Sequence, residues 1–344
     1  MLVGAENESS QKSNSSDLGL ITLRVKPHLA KLSSFMDEQI GEFEAEIQDM
    51  VAFCLKNSGK RLRPILLFYS GWQSENVVLK DLVKAAAVIE FVHLATLVHD
   101  DVLDGATLRH NDLTVSKKYG SKVAILLGDA LFSHALKLAS EFPIVDVSRA
   151  VATSTRRVCS GEIIQTFQRG NPSIKVGDYY RVIELKTAEL FYVASFLGAK
   201  LAGYEVDFIK AAGTYGKHLG IAYQIYDDLA DFVEREERTG KTLGTDIANQ
   251  EVTLPVLLLL KRLDKGRRND LIKMLQSGQK VDLGVIRNLL ADYGVFKEAN
   301  ALFRRELDFA ESALAPFLKH PPVKFLSEIS NWVADFGEKS LFGH

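Results

Sequence analysis

Apolar residues recur at steps of three and four along most of this chain, and that spacing restricts the fold to packed helices. The pattern is clearest at Val83, Ala86, Ala87, Phe91, Leu94 and Val98. Comparable patterns occupy residues 18–56, 62–72, 121–141, 145–168, 178–201, 207–235 and 253–261. Alternation at a period of two, which would indicate strands, is scarce. The sequence therefore predicts an all-α fold.

The breaks between these helices contain turn residues but no long linker. Turn chemistry is found at Ser58-Gly59, Gly170-Asn171-Pro172 and His320-Pro321-Pro322. Because no Gly/Ser-rich or Pro-rich stretch divides the chain, we expect residues 18–344 to form a single all-helical domain. Residues 1–17 are rich in Ser, Asn, Glu and Gln, so they predict a disordered N-terminal arm.

Composition argues against several classes of protein. With 42 Lys and Arg against 44 Asp and Glu, the net charge is −2, which does not favour binding to nucleic acid. The two cysteines, Cys54 and Cys159, form no CxxC pair, so neither a disulfide framework nor a zinc site is indicated. No apolar stretch free of charges reaches the roughly 20 residues of a membrane span, and residues 1–17 lack the features of a signal peptide. We expect a cytoplasmic protein.

Two clusters of aspartates share one spacing. The first contains Asp100, Asp101 and Asp104, and the second contains Asp227, Asp228 and Asp231. A helix turns by about 100° per residue, so side chains three or four positions apart share one face. Asp100 and Asp104 therefore project together, with His93 two turns earlier. Gln224 lies one turn before the second cluster, and each cluster follows a strongly apolar helical segment.

Carboxylates grouped beside apolar surface repel one another and raise each other's pKa. Hard divalent cations relieve that repulsion, and Mg²⁺ typically joins a few carboxylates to substrate phosphates and water. A single cluster of this kind is more often a solvated acidic helix end. Two clusters with the same spacing, both on apolar helices, instead predict a magnesium site for a diphosphate substrate.

Basic residues surround both clusters along the chain, as a diphosphate site requires. Arg and Lys keep their charge at neutral pH and match phosphate oxygens. The candidates are Lys60, Arg63, Arg109, Lys186 and Lys241. Lys60 and Arg63 follow Gly59 at a predicted helix start, where free backbone N–H groups favour anions. Arg109 follows the first aspartate cluster, and Lys241 follows the second.

Taken together, these motifs resemble the trans-polyprenyl diphosphate synthases. The resemblance is carried by Gly59 to Pro64, His93 with the first DDxxD, Arg109, Lys186-Thr187-Ala188, and Gln224-Ile225-Tyr226 with the second DDxxD. It extends over roughly residues 25–335. It implies the isoprenoid synthase fold, a single large helical bundle around a central cavity, which is usually homodimeric.

The resemblance also implies a reaction. An allylic diphosphate loses pyrophosphate, isopentenyl diphosphate attacks the resulting carbocation, and proton loss gives an all-trans prenyl chain longer by five carbons. Mg²⁺, with three ions per active site when substrate is bound, stabilises the departing charge. The first-choice ligands are Asp100, Asp104 and Asp227. The other aspartates, which bind directly or through water, are Asp101, Asp228 and Asp231.

Further roles are carried over from the family by matching positions. The residues expected to hold the allylic diphosphate are Arg109, Lys186 and Lys241. Those expected to hold isopentenyl diphosphate are Lys60, Arg63 and His93. Thr187 and Gln224 are expected to turn oxygen dipoles toward the carbocation.

Two positions depart from the family pattern. His110 stands where most relatives have a second Arg that contacts isopentenyl diphosphate. Glu251, two residues before Thr253, stands where relatives usually have a Lys or Arg. Histidine can donate a hydrogen bond to phosphate, most strongly when protonated. We therefore expect weaker binding of isopentenyl diphosphate or an altered substrate preference, without loss of activity.

Residues just before Asp100 bear on product length. Ala95 and Thr96 lie about 6–7.5 Å from Asp100 along the helix, where relatives that make short products carry bulky aromatics. Both side chains are small, so a prenyl tail can pass them, and Phe132 is the next candidate to close the cavity. The sequence predicts a product of about thirty to forty carbons, with loose membrane association during its release. A shorter product, geranylgeranyl or farnesyl diphosphate, is the alternative.

Two other classes of protein share part of this pattern. A class I terpene cyclase has the first DDxxD but generally replaces the second with an Asn/Asp-Ser/Thr-Glu pattern, and it needs no Lys60–Arg63 site. A non-catalytic subunit of a heteromeric synthase commonly loses its aspartate clusters. Both clusters are intact here, although His110 and Glu251 keep that alternative open.

Overall fold

Helices account for nearly all the secondary structure in the part of the chain that the structure describes. The computed structural model describes residues 19–56, 59–74, 77–109, 112–233, 245–276 and 282–342. The arm predicted at residues 1–17 lies outside these ranges. The all-α prediction is confirmed.

The helices are numbered here in chain order. They are α1 (Lys26–Ile40), α2 (Ala45–Lys56), α3 (Leu62–Ser70), α4 (Lys80–Leu103), α5 (Val115–Tyr119), α6 (Ser121–Ser140), α7 (Val145–Gln168), α8 (Val176–Ile183), α9 (Glu189–Leu201), α10 (Val206–Val233), α11 (Thr245–Ala248), α12 (Leu254–Arg262), α13 (Lys265–Gln276), α14 (Leu283–Asp292), α15 (Val295–Leu314) and α16 (Pro321–Phe342). A π-helical turn (Glu184–Ala188) joins α8 to α9, and a 3₁₀ turn (Ala315–Phe317) follows α15. Two short strands, β1 (Leu108–Arg109) and β2 (Asp112–Leu113), pair antiparallel between α4 and α5.

Helix boundaries follow the apolar pattern closely, with two exceptions. The pattern at 145–168 coincides with α7, and the pattern at 207–235 corresponds to α10. The pattern at 18–56 covers a turn between α1 and α2, because Phe43 in that turn is buried and continues the apolar spacing across it. The pattern at 178–201 contains the π turn, whose extra residue does not disturb apolar spacing enough to be seen.

Helix α10 lies at the centre of the bundle, packed against α9 and α15, while α4 packs against α6. Helix α4 is apolar on nearly all sides, as expected for a helix surrounded by others, and residues 85–88 are all fully buried. Glycine allows the closest helix contact. A Cβ on Gly198 would lie 2.2 Å from the carbonyl oxygen of Leu67, so the backbones of α9 and α3 touch.

Within the described ranges, two helices, α4 and α6, are long and apolar enough to span a membrane by length and composition. In α4, 72% of the most apolar 18-residue segment is buried within the protein, which is typical of a core helix. In α6 only 44% of the corresponding segment is buried, and Ile125, Leu126 and Leu136 are exposed. The described part of the chain therefore leaves an apolar face of α6 uncovered. The absence of a membrane span stays a prediction.

Candidate active site

A cavity of about 810 Å³ lies between α4 and α10, and both aspartate clusters reach it. Asp100 and Asp104 line it from the end of α4. The second cluster lines it from the last turns of α10, through Asp227, Asp228 and Asp231. The two aspartate clusters, which are far apart in the sequence, thus line the same cavity.

The middle aspartate of the first cluster lies behind the cavity wall. Asp101 is 4% exposed, and its Oδ1 accepts hydrogen bonds from Nε of Arg109 at 2.9 Å and from Nη2 at 2.7 Å. Arg109 belongs to β1, and this pair holds its side chain against the end of α4. The structure therefore places Asp101 as the partner of Arg109, and this placement does not support the predicted contact of Asp101 with a metal ion.

Asp100, Lys186 and Glu162 form a charged group on the cavity wall. Nζ of Lys186 lies 2.7 Å from Oε2 of Glu162 and 4.0 Å from Oδ2 of Asp100. The pKa of Asp100 is raised to about 7, chiefly by its removal from water. Lys186 opposes that rise, and the charges of Glu162 and Asp104 add to it. A carboxylate in such surroundings gains from a bound cation.

Lys186 and Thr187 lie on the π-helical turn. Such turns are rare overall, but those that occur are often found at functional sites, because the extra residue redirects the side chains. Two glycines allow neighbouring helices to approach it. A Cβ on Gly161 of α7 would lie 2.7 Å from the backbone nitrogen of Lys186. A Cβ on Gly220 of α10 would lie 2.7 Å from Cα of Ala188. The turn is therefore held between the two helices that carry Glu162 and the second aspartate cluster.

Asp228 is buried and accepts hydrogen bonds on both oxygens. The Tyr179 hydroxyl donates to Oδ2 at 2.6 Å, and Nε2 of Gln224 donates to Oδ1 at 2.7 Å. The Thr187 hydroxyl in turn donates to Oε1 of Gln224 at 2.7 Å. Burial still raises the pKa of Asp228 to about 7, although both donors lower it. The chain from Thr187 to Asp228 fixes the orientation of the Gln224 amide and leaves its oxygen a second lone pair.

A further acid beside the second cluster was missed in the sequence. Asp246, in the short helix α11, lines the cavity. Desolvation raises its pKa well above the usual range, and the charges of Asp231, Asp228, Glu251 and Asp227 raise it further. The one available signal was its position five residues after Lys241, which is too weak without a spatial argument.

Arg169, directly after α7, connects the first cluster to the segment after α11, and it was also missed. Its Nη2 donates to Oδ1 of Asp104 and, at 2.8 Å, to Oε1 of Glu251. The Gln165 amide donates to the other oxygen of Glu251. Glu251, singled out in the sequence only as a departure, is therefore one end of an ion-pair chain on the cavity wall.

The turn before α3 presents the basic residues of the other half of the site. Gly59 and Arg61 have φ values of 62° and 52°, in the left-handed region. That conformation is uncommon for Arg and is enriched at functional sites. Nζ of Lys60 lies 4.5 Å from the centre of the Phe336 ring, a cation–π contact with the last helix, α16.

Arg63 is held from three directions. Its Nη1 donates to Nε2 of His93 at 2.9 Å, and because arginine has no acceptor, this His93 nitrogen is the unprotonated one. Its guanidinium carbon lies 5.0 Å from the centre of the Phe191 ring. Glu90 is buried nearby; burial raises its pKa to about 7, while Arg63 lowers it. The structure thus brings the predicted pair of Arg63 and His93 into direct contact.

Of the three residues expected to limit product length, two line the cavity and one is buried in the core. Thr96 and Phe132 line the cavity. Ala95 is fully buried and lies outside the lining, and Leu97 stands on the wall instead. A helix turns by about 100° per residue, which points Ala95 into the packed core while Thr96 and Leu97 reach the cavity wall. The structure thus brings Thr96 and Phe132, but not Ala95, to the cavity wall, and their roles in product length stay predictions.

Most of the predicted site residues meet at this cavity. They are Lys60, Arg63, His93, Thr96, Asp100, Asp104, Arg109, Phe132, Lys186, Thr187, Gln224, Asp227, Asp228 and Asp231. Asp101 and Ala95 lie behind its wall. Two more, His110 and Lys241, lie outside the residues that the structure describes.

Comparison with known proteins places these residues in a family. The family model described as Polyprenyl synthetase matches residues 44–292, well over half of the chain. This chain belongs to the polyprenyl synthetase family. The predicted family, the isoprenoid synthase fold and the class of enzyme, a polyprenyl diphosphate synthase, are confirmed.

Individual members of the polyprenyl synthetase family resemble most of the chain. Heptaprenyl diphosphate synthase component 2 of Bacillus subtilis is 34% identical over 239 residues, which are 66% of this chain and 68% of that protein. Short chain isoprenyl diphosphate synthase of Methanothermobacter thermautotrophicus is 29% identical over 323 residues, 91% of this chain and 99% of that protein. The crystal structure of a polyprenyl synthase from Caulobacter crescentus, complexed with calcium and isoprenyl diphosphate, superposes with a TM-score of 0.84 at 28% identity. It covers 92% of this chain and 97% of its own.

The carboxylates of this polyprenyl synthetase fit divalent cations. Among the described residues, no three Asp, Glu, His or Cys side chains are already gathered as a ligand set. Mg²⁺ does not require one, since it usually binds one or two carboxylates together with phosphates and water. Desolvation, together with neighbouring acids, raises the pKa values of Asp100, Asp228 and Asp246, so their charged forms would gain from a bound cation. Hard oxygen donors in that state suit Mg²⁺.

Proposed function

We propose that this chain condenses isopentenyl diphosphate with an allylic diphosphate and releases an all-trans polyprenyl diphosphate of about thirty to forty carbons. One observation carries the proposal. A single cavity holds an acidic half, built by both aspartate clusters, and a basic half that contains Lys60, Arg63 and His93. Two diphosphates can therefore bind side by side, one through metal ions and the other through fixed positive charge.

In the acidic half, Asp100 and Asp104 from α4 and Asp227 from α10 would hold Mg²⁺, three ions per site when substrate is bound. Bound Mg²⁺ supplies Lewis acidity that stabilises the departing pyrophosphate. Lys186 and Arg109 line the same half and provide permanent positive charge for the allylic diphosphate. We assign Lys241 the same role from its position in the sequence.

In the basic half, Lys60 and Arg63 would bind isopentenyl diphosphate. The ring of Phe336 and the ring of Phe191 restrict the motion of these cations, which lowers the entropy lost on binding. His93 accepts a hydrogen bond from Arg63 and so fixes the orientation of the Arg63 guanidinium. His110 is assigned to the same substrate from sequence.

Between the halves, Thr187 and Gln224 would face the developing carbocation. The Gln224 oxygen is fixed by the Thr187 hydroxyl and the Gln224 nitrogen by Asp228. An oxygen dipole that is already oriented stabilises positive charge without reorganisation during the reaction. The roles of Asp228 and Asp231 as further metal ligands, directly or through water, belong to this proposal.

The length of the product rests on the cavity wall. Thr96 is small, and the larger apolar side chains of Leu97 and Phe132 also line the cavity. A tail can pass Thr96 and reach the ring of Phe132, which packs against His99 with 5.7 Å between ring centres. The heptaprenyl relative, whose printed name denotes seven five-carbon units, agrees with this range. The short-chain relative supports the alternative of a shorter product, so the assay below measures length directly.

We further propose a cytoplasmic homodimer. Ile125 and Leu126 of α6 are exposed apolar side chains, and so are Ile163 and Phe167 of α7. Phe167 is 85% exposed, and large exposed apolar patches mark interaction surfaces. A second copy of the chain would cover them in a symmetric dimer, the commonest oligomer.

The deciding experiment uses the purified chain alone with Mg²⁺, farnesyl diphosphate and labelled isopentenyl diphosphate. Labelled diphosphates longer than the primer support the proposal, and their chromatography gives the chain length. Cyclic hydrocarbons would indicate a terpene cyclase. The Bacillus relative is named as component 2 of a synthase, which is consistent with the alternative of a heteromeric enzyme. No turnover by the isolated chain would favour that alternative.

A further inference from the structure

Asp104, Arg169 and Glu251 form an ion-pair chain at the cavity wall. Several of its features are not needed for a purely structural role. Arg169 lines the cavity, and its side chain is 20% exposed. It binds Asp104, from the end of α4, and Glu251, from the segment before α12, through the same Nη2 atom. The guanidinium thus stands between the first aspartate cluster and an acid that the family pattern does not predict.

Glu251 by itself is unfavourable in this position. It is 11% exposed on its side chain, and desolvation raises its pKa. The charge of Asp104 raises that pKa further, and Asp246 lies in the same wall. Two cations oppose this rise in the pKa of Glu251: Lys186, which lines the same wall, and Arg169, which is hydrogen-bonded to Glu251. The pair adds no net charge to the wall.

The donors of Arg169 are only partly used. A guanidinium has five N–H groups. Nη2 uses its two on Asp104 and Glu251, and Nη1 makes a long contact of 3.4 Å with the carbonyl oxygen of Leu103. Nε is buried and has no hydrogen-bond partner among the described residues. A buried donor without an acceptor is costly unless a ligand supplies one.

Glu251 is the better-anchored of the two acids. The Gln165 amide donates to its second oxygen, and its backbone nitrogen donates to the carbonyl oxygen of Asp246 at 2.8 Å. Asp104, in contrast, is the last residue of the metal cluster at the helix end and is 30% exposed on its side chain. If Asp104 turned to a metal ion, Arg169 would lose one partner and keep the other.

We propose that Arg169 binds the allylic diphosphate and that Glu251 is the positioning residue that keeps its guanidinium at the cavity wall. This inference rests on the proposed function. Asp104 occupies Arg169 until metal binding, and the released N–H groups then meet diphosphate oxygens. The chain thereby places a cation at this wall from the end of α7, although position 251 carries an acid.

The test compares Arg169→Ala with Arg149→Ala, which removes an exposed ion pair with Asp146 at the other end of α7. For Arg169→Ala we expect KM for the allylic diphosphate, and the dissociation constant for inorganic pyrophosphate with Mg²⁺ measured by calorimetry, to rise roughly 10- to 100-fold. KM for isopentenyl diphosphate should change less than twofold. Arg149→Ala should match the wild type in all three.

A charge swap sharpens the result. In Arg169→Ala with Glu251→Lys, the cation returns from the other side of the pair, and we expect most of the pyrophosphate affinity to be recovered. Arg169→Gln keeps hydrogen-bonding capacity without charge and is used if the Ala variant does not fold. It should lose pyrophosphate affinity nearly as much.

Unchanged pyrophosphate affinity in Arg169→Gln, or equal rises in both KM values, would overturn the inference and indicate a purely structural role for Arg169. Absence of elongation by the wild type would instead defeat the proposed function, while the calorimetric result would still judge Arg169.

Discussion

The Tyr179 hydroxyl donates a hydrogen bond of 2.6 Å to Oδ2 of Asp228, and both residues are buried. Asp228 needs this donor, because burial already raises its pKa to about 7. In Tyr179→Phe the carboxylate loses one of its two donors, so its charged form becomes less stable. We expect the Mg²⁺ concentration for half-maximal elongation to rise roughly tenfold, as is typical when the partner of a metal-binding group is removed.

Tyr180→Phe is the matched control for that change. Tyr180 is the next residue, and its hydroxyl interacts with Arg305 at 3.3 Å rather than with the aspartate cluster. Its Mg²⁺ dependence should equal that of the wild type. An unchanged Mg²⁺ dependence in Tyr179→Phe would mean that Asp228 does not take part in metal binding.

The cavity wall makes a second prediction, in which neighbouring residues behave differently. Thr96→Phe places an aromatic ring in the path of the growing chain, so the products should become shorter by one or more five-carbon units. Ala95→Phe instead adds bulk to a fully buried position, which costs about 1–3 kcal/mol of folding free energy. Chain length is read by chromatography of the products, and stability by thermal unfolding. Shorter products from Ala95→Phe with unchanged stability would contradict this register.

These two positions show what sequence can and cannot decide here. Helices and their acidic faces follow from local spacing, so both aspartate clusters were predictable from residues within two turns of each other. Whether Ala95 or Thr96 faces the cavity depends on how α4 is rotated about its axis, which is set by packing against α6. The two alternatives differ by one residue, which is about 100° of rotation about the helix axis.

The contacts made by Arg169 were out of reach for a different reason. Arg169 is separated from Glu251 by 82 residues and from Asp104 by 65. Taken singly, an Arg after a helix reads as a solvated charge, and only the fold brings three such segments together. Asp101 is the reverse case, since its motif indicated a metal ligand while its burial and its bond to Arg109 set a different contact.

The acids around Asp246 predict opposite effects with and without metal. Asp246→Asn replaces an acid whose charged form is disfavoured by desolvation and by neighbouring carboxylates with a neutral amide, so in EDTA the free energy of unfolding should rise by about 1 kcal/mol. The same change removes an oxygen charge near the second cluster, so the gain in Tm on adding Mg²⁺ and pyrophosphate should shrink. Asp207→Asn, at the exposed far end of α10, should leave both quantities unchanged. A variant that is destabilised in EDTA would show that Asp246 does not experience net repulsion.

Acid stability provides a prediction that is independent of the active site. His134 packs against the rings of Phe43 and Phe91, with centres 4.5 and 5.0 Å away, and its Nε2 lies 3.1 Å from Oε1 of Gln39. Because that oxygen is an acceptor, Nε2 carries the hydrogen of a neutral imidazole. Burial lowers the pKa of His134, Lys137 lowers it further, and Glu42 and Glu141 oppose that shift.

The sign of the effect follows from the lowered pKa. As the pH falls below about 6.5, the ordinary value for histidine, the unfolded chain takes up a proton before the folded chain does. The contribution of His134 is therefore intact above that pH and is lost as the pH falls toward its folded pKa. His134→Gln cannot titrate, so its free energy of unfolding should fall less than that of the wild type between pH 7 and pH 5. Denaturant unfolding at several pH values measures this difference, and parallel curves for the two proteins would show that His134 does not titrate below its ordinary pKa.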